Sequence, residues 1–560
     1  MRRRRARLLC SLLLTVVAGA GTAASSASAS PASPWSPRSS SASAQGPAAA
    51  APTPLDRVVP APASVRPAAG SYAIRSDTRI RVSGSDGSAR SAGSAGSANS
   101  ARRVGDYLAE VLRPSTGFSL PVTTRSGDDG IRLRLTPKAA GVRTLGKEGY
   151  RLQVTGRAIT LTARGSAGLF HGVQTLRQLL PASIERTTRQ PGPWRVSGGT
   201  ITDVPRYAWR GAMLDVSRHF FGVDQVKRYI DQLALYKINA LHLHLSDDQG
   251  WRIAIDSWPK LASHGGSTQV GGGPGGYYTK DDYREIVRYA ASRELTVVPE
   301  IDMPGHTNAA LASYAELNCD GVAPPLYTGT EVGFSSLCVP KGVTYDFVDD
   351  VIRELAALTP GPYLHIGGDE AHSTSHEDYV AFMDRVQPVV AKYGKTVVGW
   401  HQLTGVHPAQ GAIAQYWGTD GSEKEVADAA KAGTRLILSP ANRAYLDMKY
   451  NADTPLGQSW AGYVEAKQSY DWDPGTYIKD APEASVLGVE APLWSETLQT
   501  SPQIEYMAFP RLPGIAELGW SPASAHNWDE YKVRVAAQGP RWDAMGIAYY
   551  HSPQIPWPTS

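Results

Sequence analysis

Long apolar runs are nearly absent from this chain of 560 residues. After one run near the N-terminus, at residues 8–20, no stretch reaches the roughly 20 apolar residues that a membrane-spanning helix needs. A large excess of positive charge is absent too, because 56 Lys and Arg face 52 Asp and Glu, for a net charge of +4. Five of the arginines lie in residues 1–29, which contain no acidic residue, so a chain that begins at Ser30 carries a net charge of −1. The composition therefore gives no argument for a nucleic-acid partner, and 42% hydrophobic with 19% charged residues excludes a disordered or fibrous protein.

Two residue types are scarce, cysteine and phenylalanine. Only three cysteines are present, and Cys10 lies in the N-terminal segment, which leaves Cys319 and Cys338. In an oxidising compartment such a pair predicts a disulfide, and the alternative is two buried free thiols. The chain has eight Phe but 14 Trp and 26 Tyr, and this bias toward aromatic rings with a polar atom suits sugar binding.

Residues 1–29 have the organisation of a secretory signal peptide. The basic start MRRRRAR precedes the apolar run, and Ala27-Ser28-Ala29 offers a cleavage site of the A-x-A type. The paired arginines leave open whether the general secretory or the twin-arginine route is used. We therefore expect a secreted, extracellular protein without membrane attachment after cleavage. Residues 30–57, rich in Pro, Ala and Ser, predict a disordered linker, and residues 83–100 predict a long surface loop.

Two folded domains are predicted after the linker. Residues 58–205 alternate short strand-like and helical segments and contain no cluster of catalytic residue types, which predicts a small, non-catalytic α+β domain. Residues 206–550 instead repeat an apolar run, a polar exit and a helical stretch. The eight candidate strands are 211–215, 240–245, 296–300, 363–365, 396–399, 412–415, 435–438 and 486–490. This repeat predicts an α/β fold, a (β/α)8 TIM barrel, whose chemistry lies beyond the C-terminal ends of the strands.

The motif His365-Ile-Gly-Gly-Asp-Glu-Ala-His372 places two carboxylates directly after a candidate strand. Gly367 and Gly368 permit a turn that would aim both into one site, where mutual repulsion raises at least one pKa and creates a proton donor. The alternative is an acidic cap at a helix N-terminus. The local sequence leaves both interpretations open.

Two further clusters follow neighbouring candidate strands. In the run LHLHLSDDQGW, His242 and His244 could bind a metal, although structural histidines are the favoured interpretation because no third ligand is evident. Asp247 in the same run lies where residues that support catalysis are found. In EIDMPGH, His306 beside carboxylates could relay or orient protons, or could belong to a hydrogen-bonded turn.

Together with Asp215-Val-Ser-Arg218, these motifs occur in the order and spacing of family 20 glycoside hydrolases, the β-N-acetylhexosaminidases. The chain resembles the secreted actinobacterial members over about residues 58–550, and the predicted α+β domain resembles the family's accessory domain. The resemblance implies a carbohydrate substrate ending in GlcNAc or GalNAc, such as a chitin oligosaccharide or a glycan. It implies neither a cofactor nor a metal, and it leaves the oligomeric state open.

The resemblance also implies roles for single residues. Glu370 matches the general acid/base, Asp369 the residue that orients the 2-acetamido group, and Tyr445 the phenol that binds the acetamido oxygen. Asp247 and His306 match the pair that supports the acid/base, which Asp302 could join. The positions implied to contact substrate are Arg218 (hydroxyls O3 and O4), Trp400, Trp417 and Trp494 (walls of the N-acetyl pocket), and Asp447, Trp460 and Glu496 (O4, O6 and their surroundings).

The mechanism that this implies is substrate-assisted. Retaining glycosidases commonly use a carboxylate nucleophile, whereas this family uses the substrate's acetamide oxygen and passes through an oxazolinium intermediate. Three alternatives remain open: a lacto-N-biosidase-like member that releases a disaccharide, a catalytically silent sugar-binding protein, and a metallohydrolase that uses His242, His244 and His306.

Overall fold

The computed structural model describes residues 53–84, 100–137 and 140–558. The predicted signal peptide, residues 30–52 of the predicted linker and residues 85–99 of the predicted loop lie outside the described residues. One boundary is corrected, because the end of the predicted linker is not disordered. Leu55 is buried with 3% exposure, and the carbonyl of Thr53 accepts a hydrogen bond of 2.8 Å from the Ser197 hydroxyl. The burial of Leu55 and this hydrogen bond together hold the end of the segment on the sheet.

The first domain, called here the sheet domain, is a mixed seven-stranded sheet with two helices packed on it. Its strands are β1 (Ser64–Ile74), β2 (Ile80–Ser83), β3 (Val122–Thr123), β4 (Gly130–Leu135), β5 (Tyr150–Val154), β6 (Ala158–Ala163) and β7 (Trp194–Asp203). Their order is β1-β7-β5-β6-β4-β2-β3, with α1 (Ser100–Thr116) and α2 (Ser166–Leu179) as the helices. Buried and exposed residues alternate along β5, as expected for a strand with only one face on the core.

The second domain contains a closed barrel of eight parallel strands, in the order β12-β13-β14-β15-β16-β17-β8-β9. These strands are β8 (Trp209–Asp215), β9 (Ala240–His244), β12 (Thr296–Glu300), β13 (Tyr363–His365), β14 (Thr396–Trp400), β15 (Ile413–Tyr416), β16 (Arg435–Leu438) and β17 (Val486–Ala491). A small hairpin of β10 (Ser246–Asp247) and β11 (Gly250–Trp251) follows β9. The predicted (β/α)8 barrel is confirmed, since each candidate strand corresponds to one of the eight.

Helices connect and cover the barrel strands. They are α3 (Val223–Leu235), α4 (Lys280–Ser292), α5 (Asn308–Ser313), α6 (Gly342–Leu358), α7 (His376–Lys392), α8 (Lys424–Lys431), α9 (Ala441–Ala444), α10 (Ala466–Tyr470), α11 (Ser501–Ala508), α12 (Arg511–Trp520), α13 (Trp528–Ala536) and α14 (Gly539–Met545). Every residue of β8 and β9 is buried, as expected for strands enclosed by helices outside and by packed side chains inside. Among the described residues, no helix combines the length and the apolar character needed to cross a membrane.

Buried ion pairs join the sheet domain to the barrel. Arg210 of β8 binds Glu148 at 2.7 Å, and Arg541 of α14 binds Glu185 at 2.5 Å. Arg210 is fully buried and Arg541 is nearly so, so removal of either carboxylate would leave a buried charge without its partner. These contacts fix the sheet domain on the side of the barrel where helices α3 and α14 lie.

A disulfide joins Cys319 to Cys338, with a Cα–Cα distance of 4.9 Å and 19 residues of separation. It closes the segment that runs from the end of α5 to the start of α6. The backbone N–H of Cys338 also donates to the carbonyl of Leu317 at 3.0 Å. The bridge therefore fixes both ends of a loop that contains no regular helix or strand.

We predict that this bridge is present in the secreted protein and that the double variant Cys319→Ser/Cys338→Ser is less stable. A loop of this length contributes about 3 kcal/mol in the chain-entropy account. Peptide mapping under non-reducing conditions detects the bridge, and denaturant titration measures the change in the free energy of unfolding. Recovery of both thiols in the free state from secreted protein would contradict the prediction.

Candidate active site

The polar side chains singled out in the sequence lie beyond the C-terminal ends of the barrel strands. Arg218 follows β8, Asp247 follows β9, His306 follows β12, Asp369 and Glu370 follow β13, Trp417 follows β15, Tyr445 and Asp447 follow β16, and Trp494 and Glu496 follow β17. Parallel strands bring all their C-terminal ends to one face of the barrel. Residues far apart in sequence are therefore gathered in one place.

A cavity of about 400 Å³ opens at this face. Nine of the predicted residues line it: Arg218, Asp369, Glu370, Trp417, Tyr445, Asp447, Trp460, Trp494 and Glu496. Its other lining residues are Thr330, Val332 and Gln458. The remaining predicted residues, Asp247, His306 and Trp400, do not line the cavity and are at most 2% exposed.

Thr330, Val332 and Gln458 were not predicted from the sequence to belong to the site. Thr330 and Val332 lie within the loop that the disulfide closes, so this loop reaches the mouth of the cavity. Gln249 of the LHLHLSDDQGW motif holds it there, because its side-chain amide donates to the carbonyl of Gly329 at 2.9 Å. Gln249 belongs to a motif that is visible in the sequence, but its contact with Gly329 is visible only in the fold.

A two-glycine turn aims Asp369 and Glu370 into the cavity. Gly367 and Gly368 have φ values of 65° and 100°, and Glu370 has a φ of 44°, which is rare for a residue with a side chain. A Cβ on Gly367 would lie 1.7 Å from a carboxylate oxygen of Asp302, so only glycine fits. The helix-cap alternative is wrong, because α7 begins later, at His376, and is capped by Ser375.

His306 lies between the two carboxylates and Asp247. Its Nε2 is 3.5 Å from Oδ2 of Asp369 and 3.5 Å from Oε2 of Glu370, while its Nδ1 is 3.2 Å from Oδ1 of Asp247. Burial disfavours a charged imidazole, but Asp247, Asp369 and Asp302 together raise the pKa of His306 well above its ordinary value. A protonated His306 donates from both ring nitrogens, to Asp247 on one side and toward the two carboxylates on the other.

Asp302 lies next to Asp369, and the two carboxyls titrate in opposite directions. Burial and the charge of Asp369 raise the pKa of Asp302 well above its ordinary value. Burial opposes ionisation of Asp369 too, but His306 and a hydrogen bond with Asp302 hold the pKa of Asp369 below its ordinary value. Asp369 is therefore the ionised member, and Asp302 serves it as a neutral hydrogen-bond donor.

Asp247 is the most connected carboxylate of the site. Its Oδ2 lies 2.9 Å from Nη1 of Arg218 and 2.7 Å from Nε2 of His244, and its Oδ1 faces His306. Burial opposes its ionisation, yet Arg218 and His306 hold the pKa of Asp247 well below its ordinary value. Arg218 also packs over the Trp494 ring at 4.8 Å, so Asp247 fixes a residue of the cavity wall as well as His306.

The hydrogen-bond chain continues below Asp247 into the barrel interior. His244 Nδ1 contacts Glu300 at 2.5 Å, His242 Nε2 contacts Glu300 at 2.9 Å, and His242 Nδ1 contacts Glu490 at 2.8 Å. Burial lowers the pKa of His242, but Glu300 and Glu490 raise it to about 9. Both histidines of the predicted strand are thus bound to carboxylates. They do not converge with His306, so the ligand set of the metallohydrolase alternative is not assembled.

Aromatic rings form a continuous wall of the cavity. Trp417 and Tyr445 each lie 5.9 Å from Trp460, and Tyr445 lies 6.2 Å from Trp494, as ring-centroid distances. Trp400 stands behind Trp494 at 5.8 Å and donates its indole N–H to Glu300 at 2.9 Å. Trp460 is 56% exposed, which places it at the rim.

Asp447 and Glu496 form a second pair of carboxyls in the cavity, on the side of Arg218. Burial and the charge of Glu496 raise the pKa of Asp447 well above its ordinary value. Burial also raises the pKa of Glu496, against the opposing charge of Arg218. Within the part of the chain that the structure describes, Oδ2 of Asp447 and Oε2 of Glu496 have no hydrogen-bond partner. The pair therefore offers both donors and acceptors, as recognition of several hydroxyl groups requires.

Comparison with known proteins agrees with this arrangement. Residues 207–523 match the model for the catalytic domain of glycosyl hydrolase family 20, and residues 56–204 match the model for domain 2 of that family. A β-N-acetylhexosaminidase of Cellulomonas fimi is 43% identical over 459 residues, which cover 81% of this chain and 90% of that protein.

Two solved structures are more similar still. The GH20 β-N-acetylhexosaminidase from Streptomyces coelicolor A3(2) is 69% identical, with a TM-score of 0.86, covering 91% of this chain and 100% of that one. A mutant β-hexosaminidase of Streptomyces plicatus in complex with its product GlcNAc is 69% identical, with a TM-score of 0.86, covering 91% of this chain and 99% of that one. The chain therefore belongs to glycosyl hydrolase family 20 and is a glycoside hydrolase of the β-N-acetylhexosaminidase class.

Proposed function

We propose that this protein is an exo-acting, retaining β-N-acetylhexosaminidase. It removes terminal β-linked GlcNAc or GalNAc from chitin oligosaccharides or glycans, with the acetamide oxygen of the substrate as the nucleophile. The observation that carries the proposal is the placement of Asp369 and Glu370 side by side on the cavity wall, with His306 3.5 Å from both.

The carboxyls of the cavity favour an internal nucleophile over an enzyme nucleophile. Burial raises the pKa of Asp447 well above its ordinary value and also raises the pKa of Glu496, which disfavours the ionised form that a nucleophile needs. Asp369 is ionised, but its placement beside Tyr445 and the aromatic wall suits an acceptor for the amide N–H of an acetamido group. An acetamide held beneath its own anomeric carbon attacks intramolecularly, with a large gain in effective molarity.

The roles of the remaining groups follow from their contacts. Tyr445 supplies a phenolic donor for the acetamide oxygen, and Trp417 and Trp494 hold the acetyl group in one orientation. Asp369 accepts the amide N–H and stabilises the positive charge that develops on the ring formed with the acetamide. Glu370 protonates the leaving oxygen, then removes a proton from the water that opens this ring. His306 keeps Glu370 and Asp369 in place through its contact with Asp247.

The other side of the cavity supports removal of a single sugar from the chain end. Arg218, Asp447 and Glu496 concentrate hydrogen-bonding groups at one side of a cavity of about 400 Å³. This volume lies at the small end of the range for small-molecule sites. An enzyme that releases a disaccharide needs a longer pocket, so the size of the cavity favours a hexosaminidase, which removes a single sugar.

Turnover of p-nitrophenyl-GlcNAc in the presence of EDTA tests the proposal. Release of GlcNAc at an unchanged rate is expected. Failure to cleave it would indicate the silent binding protein, loss of activity with EDTA would indicate metal chemistry, and cleavage only of a lacto-N-biose glycoside would indicate the biosidase.

Export is a separate proposal, which rests on residues 1–29 alone. We expect the mature protein in the culture medium, beginning at or near Ser30, because cleavage follows Ala29 in the A-x-A pattern. N-terminal sequencing of secreted protein measures this. Retention of the intact N-terminus in the cell fraction would contradict it.

Arg218→Lys should weaken substrate binding while leaving the fold intact. Lysine keeps the charge beside Asp247 but loses the planar fork that can bind two hydroxyls at once. We expect KM to rise at least about tenfold, or about 1.4 kcal/mol. Arg284→Lys, at an exposed arginine of α4, is the control. Unchanged kinetics in a folded Arg218→Lys protein would show that the residue does not bind substrate.

Asp369→Asn should lose most of its activity, because an amide cannot balance positive charge and can present N–H where an acceptor is needed. A fall in kcat of about 10²–10³ is expected for the loss of one such electrostatic contact. A glucosamine glycoside, which lacks the acetyl oxygen, should be a very poor substrate of the unmodified enzyme. Glu377→Gln, an exposed acid on α7, controls for the change from carboxylate to amide. Normal turnover by Asp369→Asn, or of the glucosamine glycoside, would contradict the role.

Glu370→Gln should slow reactions with poor leaving groups far more than reactions with good ones. An activated aryl leaving group needs little protonation, whereas an alkyl or sugar leaving group depends on the general acid. Measurement of kcat/KM across a series of aryl glycosides therefore gives a steeper dependence on leaving-group pKa than in the unmodified enzyme. An equal loss across the series would remove Glu370 from the role of acid.

A further inference from the structure

Charge is distributed very unevenly between the two domains. Residues 56–204 contain 22 Lys and Arg against 10 Asp and Glu, whereas residues 205–560 contain 28 against 42. The sheet domain is therefore strongly basic, although the whole chain is almost neutral. Charge of one sign gathered on one domain attracts ligands of the opposite sign.

Part of this charge surrounds a groove in the sheet domain, called here the arginine groove. It has a volume of about 780 Å³ and is lined by Arg75, Arg189 and Arg195, with Phe118 and Trp194 among its apolar walls. Arg195 belongs to β7, and Arg75 directly follows β1. No carboxylate lines the groove, and it shares no lining residue with the active-site cavity.

The three arginines of the groove have few partners of their own. Within residues 53–84, 100–137 and 140–558, no carboxylate forms an ion pair with any of the three arginines, and only Arg195 has a side-chain hydrogen bond, of 3.3 Å to the Ser71 hydroxyl. Trp194 is 97% buried and forms part of the floor between the exposed arginines. Guanidinium groups that no carboxylate neutralises are available to pair with an anionic ligand.

We propose that the arginine groove binds an anionic saccharide, a sugar chain that bears carboxylate or sulfate groups. Guanidinium groups pair with either anion through two parallel hydrogen bonds. Phe118, which is partly exposed, adds apolar surface beside the arginines, and this suits a sugar ring better than a free anion. The choice of a saccharide over another polyanion rests on the proposed hexosaminidase function, while the anion site itself rests on the groove.

Such a site would hold a charged polysaccharide on the sheet domain while the barrel acts on chain ends. Two linked sites raise the local concentration of substrate at the second once the first is occupied. The sheet domain would thus have a role in binding rather than in catalysis.

The test uses the full-length mature protein and fluorescently labelled oligosaccharides, with binding followed by fluorescence anisotropy. The probes are a hyaluronan oligosaccharide, which carries carboxylates only, a chondroitin sulfate oligosaccharide, which carries both groups, and an uncharged chitin oligosaccharide. The variant is Arg75→Ser/Arg189→Ser/Arg195→Ser. The matched control is Arg66→Ser/Arg134→Ser/Arg151→Ser, which removes three exposed arginines of the same domain that lie outside the groove.

We expect the groove variant to bind at least one anionic probe about tenfold more weakly, as the sum of three exposed ion pairs implies. The control should change affinity about twofold or less, and added salt should weaken binding. Binding to hyaluronan identifies the carboxylate as sufficient, and binding to chondroitin sulfate alone identifies the sulfate. Turnover of p-nitrophenyl-GlcNAc should be unchanged in both triple variants.

Three results would overturn the proposal. The first is an absence of binding to either anionic probe, and the second is equal weakening in the groove variant and the control, which would indicate general charge attraction. The third is binding of single-stranded DNA with the same dependence on the groove and with higher affinity, which would replace the saccharide by a nucleic acid. The turnover assay on the same preparations tests the hexosaminidase function separately, so the two failures are distinguishable.

Discussion

The buried carboxylate of Asp247 is the constraint on which the rest of the site depends. It is held ionised between the Arg218 guanidinium at 2.9 Å and the His306 imidazole at 3.2 Å. One contact fixes the guanidinium that we propose binds sugar hydroxyls, and the other fixes the imidazole beside the two carboxylates that we propose are catalytic. In this proposal a single buried negative charge links substrate binding to proton transfer, and its position is set by the β10–β11 hairpin that follows strand β9.

Burying that charge is costly unless it is fully paired, and the barrel interior supplies the pairing. His244 joins Asp247 to Glu300, which in turn contacts His242 and His365 at 2.9 Å each. Imidazoles and carboxylates alternate along this chain, so each buried charge has a partner. Such pairing lowers the free-energy cost of burying the charges and makes the network rigid. The rigidity matters because Glu370 and Asp369 occupy a strained turn, and such a turn persists only where its surroundings determine it.

Much of this arrangement could be predicted from sequence because the signals are local. Each barrel strand is an apolar run that polar residues follow. The sequence also shows directly that Asp369 and Glu370 are adjacent and that two glycines precede them. Other features depend on contacts across the chain. The sequence could not place Thr330 and Val332 in the cavity wall, because only the disulfide-closed loop and its bond to Gln249 bring them there. Leu55 lies in a segment of low-complexity composition, and its burial depends on a contact with the sheet that the local sequence does not show.

The central claim is that the substrate, not the protein, supplies the nucleophile. Mass spectrometry of enzyme quenched during reaction with a slow fluorinated substrate tests it most directly, together with inhibition by a stable thiazoline mimic of the cyclic intermediate. We expect no covalent glycosyl adduct and competitive inhibition by the thiazoline. A sugar bound covalently to Asp369, Asp447 or Glu496 would contradict the substrate-assisted mechanism, although the enzyme would remain a glycosidase.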